Sequence, residues 1–261
     1  MATPASKKEN TKAVPHGEWL NARRELLIKE KELTRLRDHV SRQRLQLPWE
    51  KVEKNYEFDG PNGKVLLSDL FEGKSQLIIY HFMFGPEWKE GCPSCSLVSD
   101  HIDGALPHLA ARDVTLMAVS RAPMEKIAEF KKRMGWKFNW VSSNRNDFNN
   151  DYHVAFTKEE LATGKMSYNY TIQKFPSEEA PGASVFYKDK SGTIYHTYST
   201  YGRGGDPMIG AYAWLDIAPK GRDEDDLPFP MSWVRHHDRY EDGRLADANK
   251  PYWPEFPAAP R

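Results

Sequence analysis

Only two cysteines occur among the 261 residues, and 37 Lys+Arg balance 37 Asp+Glu. The first shortage excludes a scaffold stapled by several disulfides. The second excludes the basic excess on which general nucleic-acid or anionic-membrane binding depends. Long apolar runs are missing too. The best one, Gln76 to Phe84, falls far short of the roughly eighteen residues of a membrane span. Met1 to Pro15 is polar and carries no apolar signal-peptide core, so a cytoplasmic location is expected, where structural disulfides are rarely kept. No nucleic-acid or membrane partner is expected.

Both cysteines fall in one motif, Cys92-Pro93-Ser94-Cys95. Chance would put two cysteines at this spacing in about one such chain in a hundred. A structural zinc site needs four ligands, and no second Cys or His pair at similar spacing accompanies this one. No metal and no cofactor is therefore expected. The glycine-rich Tyr201-Gly202-Arg203-Gly204-Gly205-Asp206 lacks the strand-to-helix context of a phosphate loop.

Along the chain, residues 1–16 read as a disordered leader and 17–47 as one amphipathic helix ended by Pro48. Trp19, Leu26, Leu33 and Val40 recur every seven residues, but the second seam is interrupted by Lys29 and Gln43. Such a helix lies across its own domain or a partner subunit; a homodimer formed through it is the sharper alternative. Acids interleave with its arginines, which makes its polar face a solvated one. Tyr56 to Leu67 reads as strand, turn, strand. Leu77 to Phe84, Val114 to Val119 and Phe138 to Ser142 read as buried strands. Ser94 to Ala111, kinked at Pro107, and Met124 to Met134, stopped by Gly135, read as the helices between them. Asn144 to Gln173 is polar and resembles an insertion. Ala183 to Tyr201 is a hairpin turning at Asp189–Gly192, followed by a helix over Ile209–Ile217.

This order predicts a thioredoxin-like α/β fold, a central mixed sheet flanked by helices. It would span 48–218, with an insertion near 144–175 and a C-terminal extension and tail over 219–261. The dithiol then falls where the first core strand gives way to its helix. A free thiol is mostly protonated at neutral pH, whereas a helix N-terminus favours thiolate. Cys92 is expected to attack, and Cys95, one turn on, to resolve the mixed disulfide.

Long stretches carry a resemblance to one family: Glu30 to Asp38, Tyr80 to Pro86, Gly91 to Ser96, Val114 to Pro123, Arg133 to Trp136 and Trp233 to Asp238. Over about Trp19 to Tyr240 the chain resembles the bacterial family catalogued as domain of unknown function 899, described as thioredoxin-like predicted dithiol-disulfide oxidoreductases. The resemblance implies the fold and a redox dithiol, and names no substrate. Thioredoxins also carry a cis-proline before the hairpin strand. That place falls near Ala183, with Pro181 two residues early. Their buried acid on the first core strand aligns with about His81, which could shuttle the Cys95 proton.

Trp88 could wall the dithiol pocket, and Arg121, at a strand C-terminal end, could lower the Cys92 pKa or hold an anionic substrate. Arg235-His236-His237-Asp238 reads as hydrogen bonds that dock a C-terminal segment. The expected activity is thiol–disulfide exchange on a small-molecule or protein disulfide. Alternatives are a copper-binding or chaperone protein using His81, His101, His236 or His237, a peroxidase, or a non-enzymatic partner-binding module. The peroxidase alternative lacks its usual threonine in Glu87 to Gly91.

Overall fold

The computed structural model describes residues 13–240, so most of the expected leader and the tail beyond Tyr240 lie outside the described residues. Two compact units result, Met1–Pro48 and Trp49–Arg261. The first contains helix α1 (His16–Arg44), none of whose side chains is buried. Arg23–Glu30 and Lys29–Glu32 ion pairs run along it, worth a few tenths of a kcal/mol each at such exposure.

The second unit opens with β1 (Glu50–Lys51) and the hairpin β2 (Glu57–Gly60) and β3 (Gly63–Leu66). Then come β4 (Gln76–His81), α2 (Pro93–Ser99), α3 (Leu106–Ala110), β5 (Val114–Ser120), α4 (Met124–Met134) and β6 (Asn139–Ser142). The helix expected over Ser94–Ala111 is two short ones, with Pro107 in the first turn of the second. Proline is tolerated there because the missing N–H has no intrahelical partner. Gly135 ends α4 in the left-handed conformation, at φ 70°.

The polar stretch after β6 is more ordered than its composition suggests. It holds α5 (Phe148–Asp151), α6 (Lys158–Thr163) and the small hairpin β7 (Met166–Tyr168) and β8 (Thr171–Gln173). Thr157 and Glu160 close a capping box on α6. Phe148 and Val154 are fully buried, so this segment supplies core as well as surface. The hairpin β9 (Gly182–Lys188) and β10 (Ile194–Tyr201) and the helix α7 (Gly210–Ile217) complete the unit.

One eight-stranded sheet runs β1-β10-β9-β4-β5-β6-β2-β3. The β4–β5 and β5–β6 pairs are parallel and the β4–β9 and β9–β10 pairs antiparallel. This is a thioredoxin-like fold with added edge strands. Side-chain alternation along β4 divides the core between two faces. Leu77 and Ile79 pack with Phe58, Phe71, Met117 and Phe148 on one face. Tyr80, and Phe82 just beyond the strand, pack with Leu97, Val98, Ile127 and Phe130 on the other, against α2 and α4. Each such fully buried side chain contributes about 1.5–3 kcal/mol.

Candidate active site

Cys92 caps α2 with an extended backbone (φ −59°, ψ 130°), and Pro93 fills the first helical position. The Cys92 N–H donates to the Met83 carbonyl at 3.0 Å, and its own carbonyl accepts from the Ser96 N–H and hydroxyl at 2.9 Å each. The backbone that carries the first thiol is therefore held on both sides. Gly91, just before it, has no room for a side chain: a Cβ there would stand 2.5 Å from the Phe82 ring and 2.7 Å from Phe130.

The two cysteines lie 4.0 Å apart. Both are free thiols, Cys92 half-buried and Cys95 buried. Their environments push them in opposite directions. Cys92 is drawn down to about 7, first by the hydrogen bond from the Cys95 thiol, then by the Cys95 and Ser94 N–H groups and the Ser94 hydroxyl, against the cost of desolvation. Burial, reinforced by the neighbouring Cys92, pushes Cys95 well above the ordinary thiol range. Since α2 is seven residues long, these specific donors explain the low Cys92 value better than a macrodipole does.

Two groups reach the Cys95 sulfur. The Met83 N–H approaches at 3.5 Å, and the Tyr80 hydroxyl is placed to stabilise the Cys95 thiolate, lowering the pKa of that thiol against the effect of burial. Tyr80 is 5% exposed and stands on the dithiol face of β4. The neighbouring His81 does not. It points to the opposite face, where Nε2 contacts the Ser184 hydroxyl at 2.8 Å and the ring lies by Phe148 and Tyr152. Burial lowers its pKa to about 3, which keeps it neutral. The expectation that His81 serves Cys95 is corrected here: adjacent strand residues face opposite ways, and Tyr80 holds the place.

Ala183 pairs directly with Tyr80 across β4 and β9, so it shares the dithiol face and is buried. Pro181 lies ahead of β9, and no peptide bond among the described residues is cis. Its carbonyl accepts from the Tyr168 hydroxyl at 2.7 Å. Trp88 packs on the same core cluster as Cys92 and donates its Nε1–H to Glu178 at 3.1 Å. Arg121 lies 3.8 Å from that carboxylate and donates its Nε–H to the buried Glu179 at 2.6 Å. Glu178 thus links Trp88 and Arg121. Both carboxylates occupy the guanidinium expected to act on Cys92. Burial raises Glu179 to about 7 although Arg121 opposes it.

The histidines weighed as metal ligands have protein partners. His101 contacts the Leu97 carbonyl and the Ala211 N–H, His237 the Asp100 carboxylate, and His236 the Gly91 carbonyl. Among the described residues no three His, Cys, Asp or Glu side chains converge as a metal site. A cavity of about 580 Å³ opens on the His81 side of the sheet, lined by Tyr56, Tyr152, His196 and Tyr201, and neither cysteine borders it. No helix among the described residues is long and apolar enough to cross a membrane.

Among solved structures, the chain is similar to the peroxidoxin BcpB from Mycobacterium tuberculosis, at 12% identity and TM-score 0.43 over 62% of this chain and 94% of that one. It is also similar to Xanthomonas campestris peroxiredoxin Q, at 14% identity and TM-score 0.43 over 63% and 95%. A third similarity, to a putative thiol:disulfide interchange protein DsbE from Chlorobium tepidum, has 13% identity and TM-score 0.37 over 63% and 97%. No curated protein sequence matches the chain. The family described as bacterial protein of unknown function (DUF899) matches residues 8–240, and the chain belongs to that family.

Proposed function

We propose that this protein is a cytoplasmic thiol–disulfide oxidoreductase in which Cys92 attacks and Cys95 resolves. The observation that carries the reading is the asymmetry of the pair: a half-buried thiol at a helix cap lies 4.0 Å from a fully buried one. In the forward direction the Cys92 thiolate attacks one sulfur of a substrate disulfide. The substrate S–S bond breaks, one substrate thiolate leaves, and a mixed disulfide forms on Cys92. Cys95 then loses its proton to solvent or to the departing thiolate and attacks the Cys92 sulfur. The second substrate thiolate leaves and a Cys92–Cys95 disulfide remains. Two electrons pass from the protein dithiol to the substrate; running the steps backwards oxidises a substrate dithiol.

Tyr80 has no basic role in this scheme, because burial keeps its hydroxyl protonated. It acts as a donor, stabilising the Cys95 thiolate as it forms. Trp88 flanks the dithiol as a substrate-contacting group, whereas Ala183 is buried and Arg121 is already paired with Glu178 and Glu179. A compact disulfide fits best, because Trp233, Val234 and His236 of the C-terminal segment already pack against the elements around Cys92. The test uses Cys92→Ser and Cys95→Ser with a small aromatic disulfide whose released thiolate absorbs visible light. Cys92→Ser should release no thiolate in the first turnover. Cys95→Ser should release one equivalent and retain the other half as a mixed disulfide. Full turnover by both variants would overturn the proposal.

A further inference from the structure

The C-terminal segment brings a buried histidine to the residue next to the attacking cysteine. His236 is 5% exposed, and its Nε2–H donates to the Gly91 carbonyl at 2.8 Å. Its other ring nitrogen, Nδ1, accepts from the Arg133 guanidinium at 3.2 Å. The two contacts assign a neutral ring with its proton on Nε2. The ring also lies edge-on to Phe130, at 5.2 Å between centroids.

The surroundings lock this arrangement. Arg133 donates two 2.8 Å bonds to Asp238 and a third of the same length to Glu90. Arg239 pairs with Glu90 as well. The cluster thus ties the segment carrying His236 to α4 and to the loop that leads into Cys92. Bidentate Arg–carboxylate pairs of this kind fix geometry more than isolated surface pairs do.

We infer that His236 is a positioning residue of the dithiol site, holding the Gly91–Cys92 peptide so that Cys92 keeps its capping geometry. That peptide is pinned at both polar ends, its oxygen by His236 and its N–H by the Met83 carbonyl. Gly91 cannot relax sideways, because Phe82 and Phe130 fill the space a Cβ would need. Without the His236 donor, the buried carbonyl loses its partner and the peptide rotates to find another. The thiol then loses its alignment with the N–H donors of Ser94 and Cys95. Residues 233–240 therefore belong to the site and are not an appended tail.

This inference rests on the reading of Cys92 as the attacking thiol, and its test separates the two. Alkylation of Cys92 by iodoacetamide, followed by peptide mass mapping across pH 5–10, reports thiolate formation whether or not disulfides are turned over. For His236→Ala the pH midpoint should rise by half a unit or more and the rate at pH 7 should fall at least threefold. His236→Gln, whose amide N–H can reach Gly91, should restore most of the rate. Should His236→Ala fail to fold, Asp238→Asn loosens the cluster without touching His236 and should shift the midpoint the same way by less. A folded His236→Ala, or Asp238→Asn in its place, with the wild-type profile would overturn the inference alone. An ordinary high thiol midpoint in the wild type would instead overturn the reading beneath it.

Discussion

Replacing Tyr80 with Phe removes one oxygen from the centre of the site. The ring stays packed edge-on to Phe82, at 6.2 Å, and the residue is nearly inaccessible, so the fold should tolerate the change. The Cys95 sulfur keeps only the long 3.5 Å contact from the Met83 N–H. A hydrogen bond to a charged group is worth about 1.5–3 kcal/mol, against roughly 1 kcal/mol for a neutral pair. The missing donor should therefore cost little in the resting thiol and more as the Cys95 thiolate forms. That difference is about 0.5–2 kcal/mol, so at about 1.4 kcal/mol per factor of ten the resolving step should slow roughly two- to thirtyfold. Rapid mixing with a coloured disulfide separates the two released thiolates in time. The first, from attack by Cys92, should keep its rate within about twofold, while the second lags. Unchanged release of both, or slowing of the first alone, would refute the role given to Tyr80.

Three further outcomes follow from the same geometry. Cys92, drawn down to about 7, should be about half thiolate at pH 7, against a few per cent for an ordinary thiol. Its folded-state pKa is depressed, so its contribution to stability is full above the ordinary thiol pKa and is lost as pH falls through 7; alkylation should follow the same midpoint. His81→Asn should lower stability by about 1–3 kcal/mol through its buried contact with Ser184, yet leave both thiolate releases within twofold, because the ring faces away from the dithiol. Arg121→Ala leaves the buried Glu179 without its cation. Burial raises the pKa of Glu179 to about 7 against the pull of Arg121; without the cation the carboxyl should stay protonated to higher pH, so the variant's extra loss of stability appears as pH rises through 7. Urea unfolding should show a loss up to about 2 kcal/mol greater at pH 8.5 than at pH 5.5, at about 1.36 kcal/mol per pH unit above 7; equal losses would contradict the buried-pair account.

Much of the second unit was readable from residue order. The apolar runs of β4 and β5, the Gly135 stop and the Asp189–Gly192 turn are local signals, and the elements stand close to where those signals place them. What failed was parity. Tyr80 and His81 are equally plausible neighbours of a dithiol until the sheet decides which face meets α2. That decision depends on packing by Phe82, Leu97 and Phe130 from three separate segments. The stretch from Asn144 to Gln173 reads as polar because its buried apolar residues, among them Phe148, Tyr152, Val154, Phe156 and Met166, follow no single period. The His236 contact joins residues 145 positions apart, and only the observation that such clusters often dock a segment hinted at it.

The central claim is that Cys92 and Cys95 form a reversible redox couple, and an equilibrium titration tests it most directly. The full chain is incubated in glutathione buffers of graded potential, the remaining thiols are trapped by acid and alkylation, and intact mass is read at each point. The expected result is one two-electron transition between a dithiol and an internal disulfide, lost in either Cys→Ser variant. A chain that stays dithiol until the buffer is fully oxidised, or that gains only glutathione adducts without closing the internal bond, would contradict the account.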